Sequence, residues 1–196
     1  TWKKVDVLIH NAGSLLHKQF TQITSEEFQN IYKVNVFAVA ELTIGLILAL
    51  IRKTCQMDID IRSGKWEKRM GNLLYRKKVG IVGYGRIGRK VAELLKVFDC
   101  ELAYFDPIVK DYAPGIRYMS KEGLMRWSDI ITIHAATKET IVGENELRAM
   151  KDDAWLVNVS RGETIDERAL YEHLRRGRLS GAALDVFREE PYNGPL

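Results

Sequence analysis

Residues 79–88, VGIVGYGRIG, constrain what this chain can fold into more than any other stretch. A short buried strand runs straight into three glycines spaced G-x-G-x-x-G, and that turn opens a helix. Each glycine has its own reason. Gly83 lets the chain turn sharply, Gly85 keeps a Cβ away from a point of close backbone approach, and Gly88 lets helix and strand pack together. Val91, Leu94, Leu95 and Phe98 then recur at helical spacing and form one apolar face suited to a sheet. Residues 101–106, ELAYFD, make a second strand ending in an acid 18 residues beyond Gly88. Strand, turn, helix and strand in this order predict a parallel βαβ unit.

The chemistry of that unit is anion binding. Unpaired N–H groups and the helix dipole at Gly85, Arg86, Ile87 and Gly88 favour a pyrophosphate. Asp106 at the end of the second strand can accept hydrogen bonds from an adenosine ribose and would repel a 2′-phosphate, which points to NAD over NADP. The plainer alternative is that Asp106, followed by Pro107, only signals a turn.

The chain has 196 residues, enough for one well-formed core and small for two full domains. Its formal charge is +4, and the densest basic cluster, Arg175, Arg176 and Arg178, falls at the end of a predicted helix, where the dipole favours cations. No segment interleaves aromatic and basic residues, so a nucleic-acid partner is not expected. Cys55 and Cys100 stand in unrelated contexts and read as reduced, buried or idle thiols of a cytoplasmic protein, with no disulfide and no metal site. The most apolar run, Ile44 to Ile51, is too short to span a bilayer, and Thr1 to Lys4 lead directly into a strand pattern without a leader, so no membrane is expected.

Ahead of the glycine turn, residues 5–10 read as a strand closed by a turn at Asn11-Ala12-Gly13. Thr24 with Glu27 forms a capping box for a long helix. Phe28, Ile31, Asn35, Ala38, Leu42, Gly45 and Ala49 make a continuous stripe along it. Unbroken to Lys53, the helix would be about 40 Å long at ~1.5 Å per residue, and a kink is expected near Gly45. Behind the turn, residues 130–134, 155–160 and 181–186 read as buried parallel strands. Helices are expected over 144–150 and 167–176, the second capped by Gly177, with a loop at Pro114-Gly115.

Two resemblances follow from quoted residues. DVLIHNAG at 6–13, followed by YKVNV at 32–36, resembles the fourth strand, turn and following helix of the short-chain dehydrogenase/reductase family, over about residues 2–43. There the helix asparagine matching Asn35 belongs to the catalytic group, but the sequence has no Tyr-x-x-x-Lys, so Asn35 reads as a structural relic. From residue 39 onward, VAELTIGL, RSGKW at 62–66, the glycine turn, SDIITIH at 128–134, NVSRG at 158–162 and GAALDVFREEP at 181–191 resemble the NAD-dependent D-2-hydroxyacid dehydrogenases. The two patterns meet inside one helix around Phe37 to Leu42 with no expected slip of register, which reads as a chimera of two Rossmann proteins.

The second resemblance implies hydride transfer between nicotinamide and C2 of a small 2-hydroxy or 2-oxo acid. It implies that Arg161 grips the substrate carboxylate, that Glu190 holds a catalytic histidine, that Asp185 lies near the nicotinamide, and that His134, Val159 and Ser160 line the cofactor cleft. Taken singly, Arg161 could cap a strand and Glu190 could be a solvated loop acid. The sequence ends at Leu196, ahead of the family's histidine segment and without its substrate domain, and loss of a general acid removes ~10² to 10⁴ in rate. His10 is a speculative replacement, if the N-terminal strand fills the sheet edge in the same chain or by exchange in a homodimer.

The expected fold is therefore α/β, a Rossmann-like doubly wound parallel sheet with an added N-terminal strand and long helix. Residues 1–43 and 44–196 would form two segments of one compact domain. The leading functional expectation is an NAD(H)-binding domain with little or no turnover. A working oxidoreductase completed by His10 or a partner chain, and a structural chimera with incidental nucleotide binding, are the alternatives.

Overall fold

The computed structural model describes residues 22–110 and 114–196. The strand expected over 5–10, the turn after it and His10 lie outside the described residues. Helix α1 (Ser25–Tyr32) leads through a π-helical turn (Lys33–Ala38) into α2 (Val39–Ile51), and α3 (Thr54–Arg62) follows. The α/β alternation then begins: β1 (Lys78–Val82), α4 (Arg86–Lys96), β2 (Glu101–Phe105), β3 (Arg117–Tyr118), α5 (Lys121–Trp127), β4 (Ile130–Ile133), α6 (Glu144–Ala149), β5 (Trp155–Asn158), α7 (Glu167–Arg175) and β6 (Gly181–Leu184).

The six strands are parallel in the order β3-β2-β1-β4-β5-β6, so the chain runs outward from β1 in one direction and then in the other. This is the expected Rossmann-like doubly wound sheet. Because strand side chains alternate between faces, each strand feeds two cores. Val79, Ile81, Ile130, Trp155 and Val157 pack under α2 and α4 on one face. Val82, Ile131, Ile133 and Leu156 pack under α5, α6 and α7 on the other. The order reverses between β1 and β4, and the C-terminal ends of those strands therefore open the crevice in which doubly wound sheets bind ligands.

The helix ends carry the local signals read from sequence. Thr24 Oγ1 accepts from Glu27 N at 3.2 Å, while Glu27 Oε2 accepts from Thr24 N at 3.0 Å, completing the capping box. Gly177 takes φ +67°, the left-handed conformation that closes α7.

The long helix departs from expectation in two respects. It is α-helical through Gly45, and its irregularity lies at Lys33–Ala38, where the π turn inserts an extra residue. The register thus does slip, and it slips beside the join of the two resembled patterns. Consequently the buried face of the second half is Ala40, Thr43, Ile47 and Ile51, not the stripe through Ala38, Leu42 and Gly45. Residues 39–51 are apolar nearly all round, so periodicity could not select the face that meets the sheet. Ser25–Ile51 forms 27 residues of helix long and apolar enough to cross a membrane, where the run Ile44 to Ile51 alone was too short. In this fold its second half is a core helix, with Ala40, Thr43 and Ile47 fully buried.

Candidate functional site

The glycine turn shows why each of its glycines is there. Gly83 has φ +91°, and a Cβ on it would lie 2.8 Å from both the Ala135 amide nitrogen and the His134 carbonyl carbon beyond β4. A Cβ on Gly88 would fall 2.2 Å from the Gly83 carbonyl oxygen, so only glycine lets α4 sit this close to the turn. Gly85 differs from both, because nothing lies within 4 Å of where its Cβ would be. The space over Gly85 is open. It caps α4 without any side-chain hydrogen bond, leaving the first amides of an eleven-residue helix facing that space.

Asp106 is tied into the turn itself. Its Oδ2 accepts from the Tyr84 amide at 2.8 Å, and its Oδ1 accepts from the amides of Ile108 and Val109, each at 2.8 Å. Burial works against the carboxylate, but the three backbone donors outweigh it and hold the carboxyl below the usual range. The turn-signal reading of Asp106 is seen directly: the acid orders its own loop and the glycine turn, with Oδ1 accepting two amides and Oδ2 one, so that one acceptor site is left on Oδ2. Tyr84 stacks on Tyr104 with ring centroids 4.0 Å apart, and the Arg89 guanidinium lies 5.0 Å from the Tyr84 centroid. The turn is thus fixed from both the core and the helix.

Next to β1, His134 N donates to the Val82 carbonyl at 2.7 Å. Its Nε2 lies 2.9 Å from Thr132 Oγ1, and its buried Nδ1 has no partner among the described residues. Burial, with no acid beside the ring, pushes the imidazole down to about 3, so it is neutral at ordinary pH. A cavity of about 420 Å³ opens here. Gly85, Arg86 and His134 form one wall, and Phe28, Tyr32 and Asn35 from the N-terminal helix form the other.

The β5 and β6 ends hold the remaining predicted residues. Asn158, almost fully buried, donates from Nδ2 to the Arg161 carbonyl at 3.0 Å and accepts at Oδ1 from Ser160 N at 3.1 Å and Ser160 Oγ at 2.8 Å. The Ser160 hydroxyl is thereby engaged, and the Val159 side chain joins the core beneath α2. Arg161 keeps its guanidinium on the exposed side, with Nη1 donating to the Ser160 carbonyl at 2.7 Å. A Cβ on Gly162 would lie 1.9 Å from the Phe187 carbonyl carbon, so this loop packs directly on the segment after β6. There Asp185 N donates to Asn158 O at 2.9 Å, and Phe187 N donates to Glu190 Oε1 at 3.1 Å. Burial and the nearby Glu190 charge raise the Asp185 carboxyl above its ordinary value.

All of these groups lie along the C-terminal edge of the sheet, but in two clusters. Gly83, Gly85, Asp106 and His134 gather around β1, while Ser160, Arg161, Asp185 and Glu190 gather around β5 and β6. The sequence reading did not single out Asn158, Gly162 and Thr164 as the residues that shape the second cluster. Asn158 at a strand end, followed by Ser160, was the available signal. No group of three metal-ligating side chains occurs among the described residues.

A doubly wound parallel sheet with a glycine turn at its reversal point and an acid at the end of the neighbouring strand defines the class: a dinucleotide-binding Rossmann domain. Residues 44–196 match the D-isomer specific 2-hydroxyacid dehydrogenase NAD-binding domain, and the chain belongs to that family as an NAD-binding domain. Residues 1–64 match the short chain dehydrogenase family. The chain is 41% identical over 174 residues to a glyoxylate reductase of Thermofilum pendens, covering 81% of this chain and 51% of that protein. It is 40% identical over 165 residues to a D-3-phosphoglycerate dehydrogenase of Archaeoglobus fulgidus, covering 80% of this chain and 31% of that protein. D-lactate dehydrogenase from Aquifex aeolicus, solved with NAD and lactic acid, superposes with TM-score 0.73 at 31% identity, over 78% of this chain and 48% of that one. The chain thus spans about half the length, or less, of these relatives.

Proposed function

We propose that this chain binds NAD(H) across the C-terminal edge of its sheet and that the 196-residue chain by itself turns over little or no substrate. The observation that carries the first half is the open space over Gly85, flanked by the unfilled N-terminus of α4 on one side and by Asp106 at the end of β2 on the other. The pyrophosphate would lie on Gly85, Arg86, Ile87 and Gly88, with the adenosine ribose on Asp106. Asp106 would disfavour a 2′-phosphate through like-charge repulsion.

For the second half, the residues expected to handle a 2-oxo acid are present, and the proton carrier is not seen beside them. Arg161 keeps its guanidinium exposed, with Nη1 donating to the Ser160 carbonyl and its remaining donors able to meet a carboxylate. Among the described residues, however, no histidine lies within ion-pair distance of Glu190: His134 is neutral and faces Thr132, and His173 pairs with Glu144 at 3.2 Å. His10, the speculative donor, lies outside the described residues. A working oxidoreductase is the second reading, and the shared edge of Arg161, Asp185 and Glu190 favours it.

We further read the chain as two Rossmann-type segments, residues 1–43 and 44–196, forming one unit. The two family matches overlap between residues 44 and 64, and the π turn absorbs one residue just ahead of that overlap. A homodimer is part of this reading, supported by Ile59, Ile61, Trp66, Met70 and Leu73, which expose apolar surface on α3 and the strap after it. Free Cys55 and Cys100 accord with a cytoplasmic location.

Calorimetric titration with NADH, and with NADPH as control, tests binding: NADH should bind in the micromolar range and NADPH at least tenfold more weakly. NADH oxidation with glyoxylate, hydroxypyruvate and pyruvate tests turnover. A rate that disappears in Arg161→Ala would establish the second reading, and no heat from a folded protein would leave nucleotide binding as incidental to the architecture.

A further inference from the structure

We infer that the N-terminal helix is part of the cofactor site, with Tyr32, Phe28 and Asn35 forming the wall against which the nicotinamide riboside half of the dinucleotide packs. This rests on the proposed NAD(H) reading and extends it to residues ahead of the 44–196 match. The sheet order provides the argument. Asp106 ends β2, the glycine turn ends β1 and His134 follows β4, and β2, β1 and β4 are consecutive neighbours. A dinucleotide with its adenosine ribose on Asp106 and its pyrophosphate over Gly85 continues in the same direction to β4. That is where the cavity of about 420 Å³ lies.

The cavity suits that half of the ligand. One end carries Arg86 and the uncapped amides of α4, which favour a phosphate. The rest is lined mainly by apolar and aromatic side chains with a few polar groups, the composition that takes a flat ring bearing a hydrogen-bonding substituent. Its volume of about 420 Å³ is adequate for the nicotinamide riboside half. The wall is also anchored to the cofactor helix. The Lys90 ammonium of α4 sits 4.9 Å from the Phe37 ring centroid, Tyr32 meets Phe37 edge-on at 5.4 Å, and Val36 is buried. Helix α1 has no buried residue of its own, so a ring in the cavity would add the contact that α1 lacks.

The test compares two ligands that share adenosine ribose and pyrophosphate. NADH carries the nicotinamide and ADP-ribose does not. In the wild-type chain, NADH emission should rise and shift to the blue as the ring enters an apolar cavity. In Tyr32→Ala, NADH affinity should fall about five- to tenfold, a loss on the order of 1 kcal/mol, and the emission change should shrink. ADP-ribose affinity should stay within about twofold. Tyr32→Phe should restore both, and Phe28→Ala, at a residue already more than half exposed, gives the same comparison without disturbing the fold. Unchanged NADH affinity and emission in both alanine variants would overturn the inference alone. So would tighter NADH binding, which would make the helix an obstruction. Failure of the folded wild-type chain to bind either ligand would remove the NAD(H) reading and this inference with it.

Discussion

The unit from β1 through β2 and the helical segment from Ser25 to Ala38 meet at one cavity, yet they are held in place by different means. The first is overdetermined: Gly83 and Gly88 admit no side chain, Asp106 accepts three backbone amides, and Tyr84 stacks in the core. In the second, α1 has no fully buried residue, and the segment is held by a capping box, the buried Val36, ring contacts of Tyr32 and one lysine over the Phe37 ring. The difference separates a turn whose geometry is set by its own packing and hydrogen bonds from a helix that still has room for a further contact.

The comparison predicts its largest effect at Gly88. Gly88→Ala should cost at least ~3 kcal/mol in urea unfolding and abolish NADH binding, since its Cβ would meet backbone at 2.2 Å. Gly85→Ala, three residues earlier in the same motif, should cost about 1 kcal/mol or less and still weaken NADH, because its Cβ would occupy the ligand's space. Equal stability loss in the two variants would break the distinction between packing and binding glycines.

Asp106→Asn should follow, with about 1–3 kcal/mol lost near neutral pH. The folded carboxyl lies below its ordinary value of 3.8, so its contribution is present above that value and is lost as pH falls through the lower folded one. The stability difference between wild type and Asp106→Asn should therefore narrow below pH 4, as measured by urea midpoints across the acid range.

Smaller effects belong to the helical segment. Thr24→Ala should destabilise α1 by about 1 kcal/mol, seen as faster amide exchange over residues 25–32 with the global midpoint unchanged. Lys90→Ala should loosen the π turn by about 0.5–1 kcal/mol by the same readout. A global shift in either variant would show that the two regions unfold together.

The legibility of the sequence divides along the same line. The glycine turn, the acid 18 residues on and the strands at 130, 155 and 181 were readable because each is a contiguous signal: an apolar run, a spacing, a cap. Elements α3, β3 and α5 were not foreseen, being short and without strong periodicity. The face of α2 was misread because leucines and isoleucines surround it and because the π turn shifts the register at residues 33–38. Asn158 was visible only as one letter of a motif. The four hydrogen bonds of its side chain, to Ser160, Arg161 and Thr164, shape the Arg161 loop and depend on the chain returning through Ser160 to Thr164.

The sequence by itself determined the class of fold and the family, because strand-turn-helix geometry and phosphate binding depend on near neighbours in the chain. Tertiary structure decided which face of the long helix is buried, how Asp106 holds the turn, and that Phe28, Tyr32 and Asn35 stand across a cavity from Gly85 and His134. Those residues are separated by 50 to 106 positions in sequence, and only the packing of the helix against α4 brings them together.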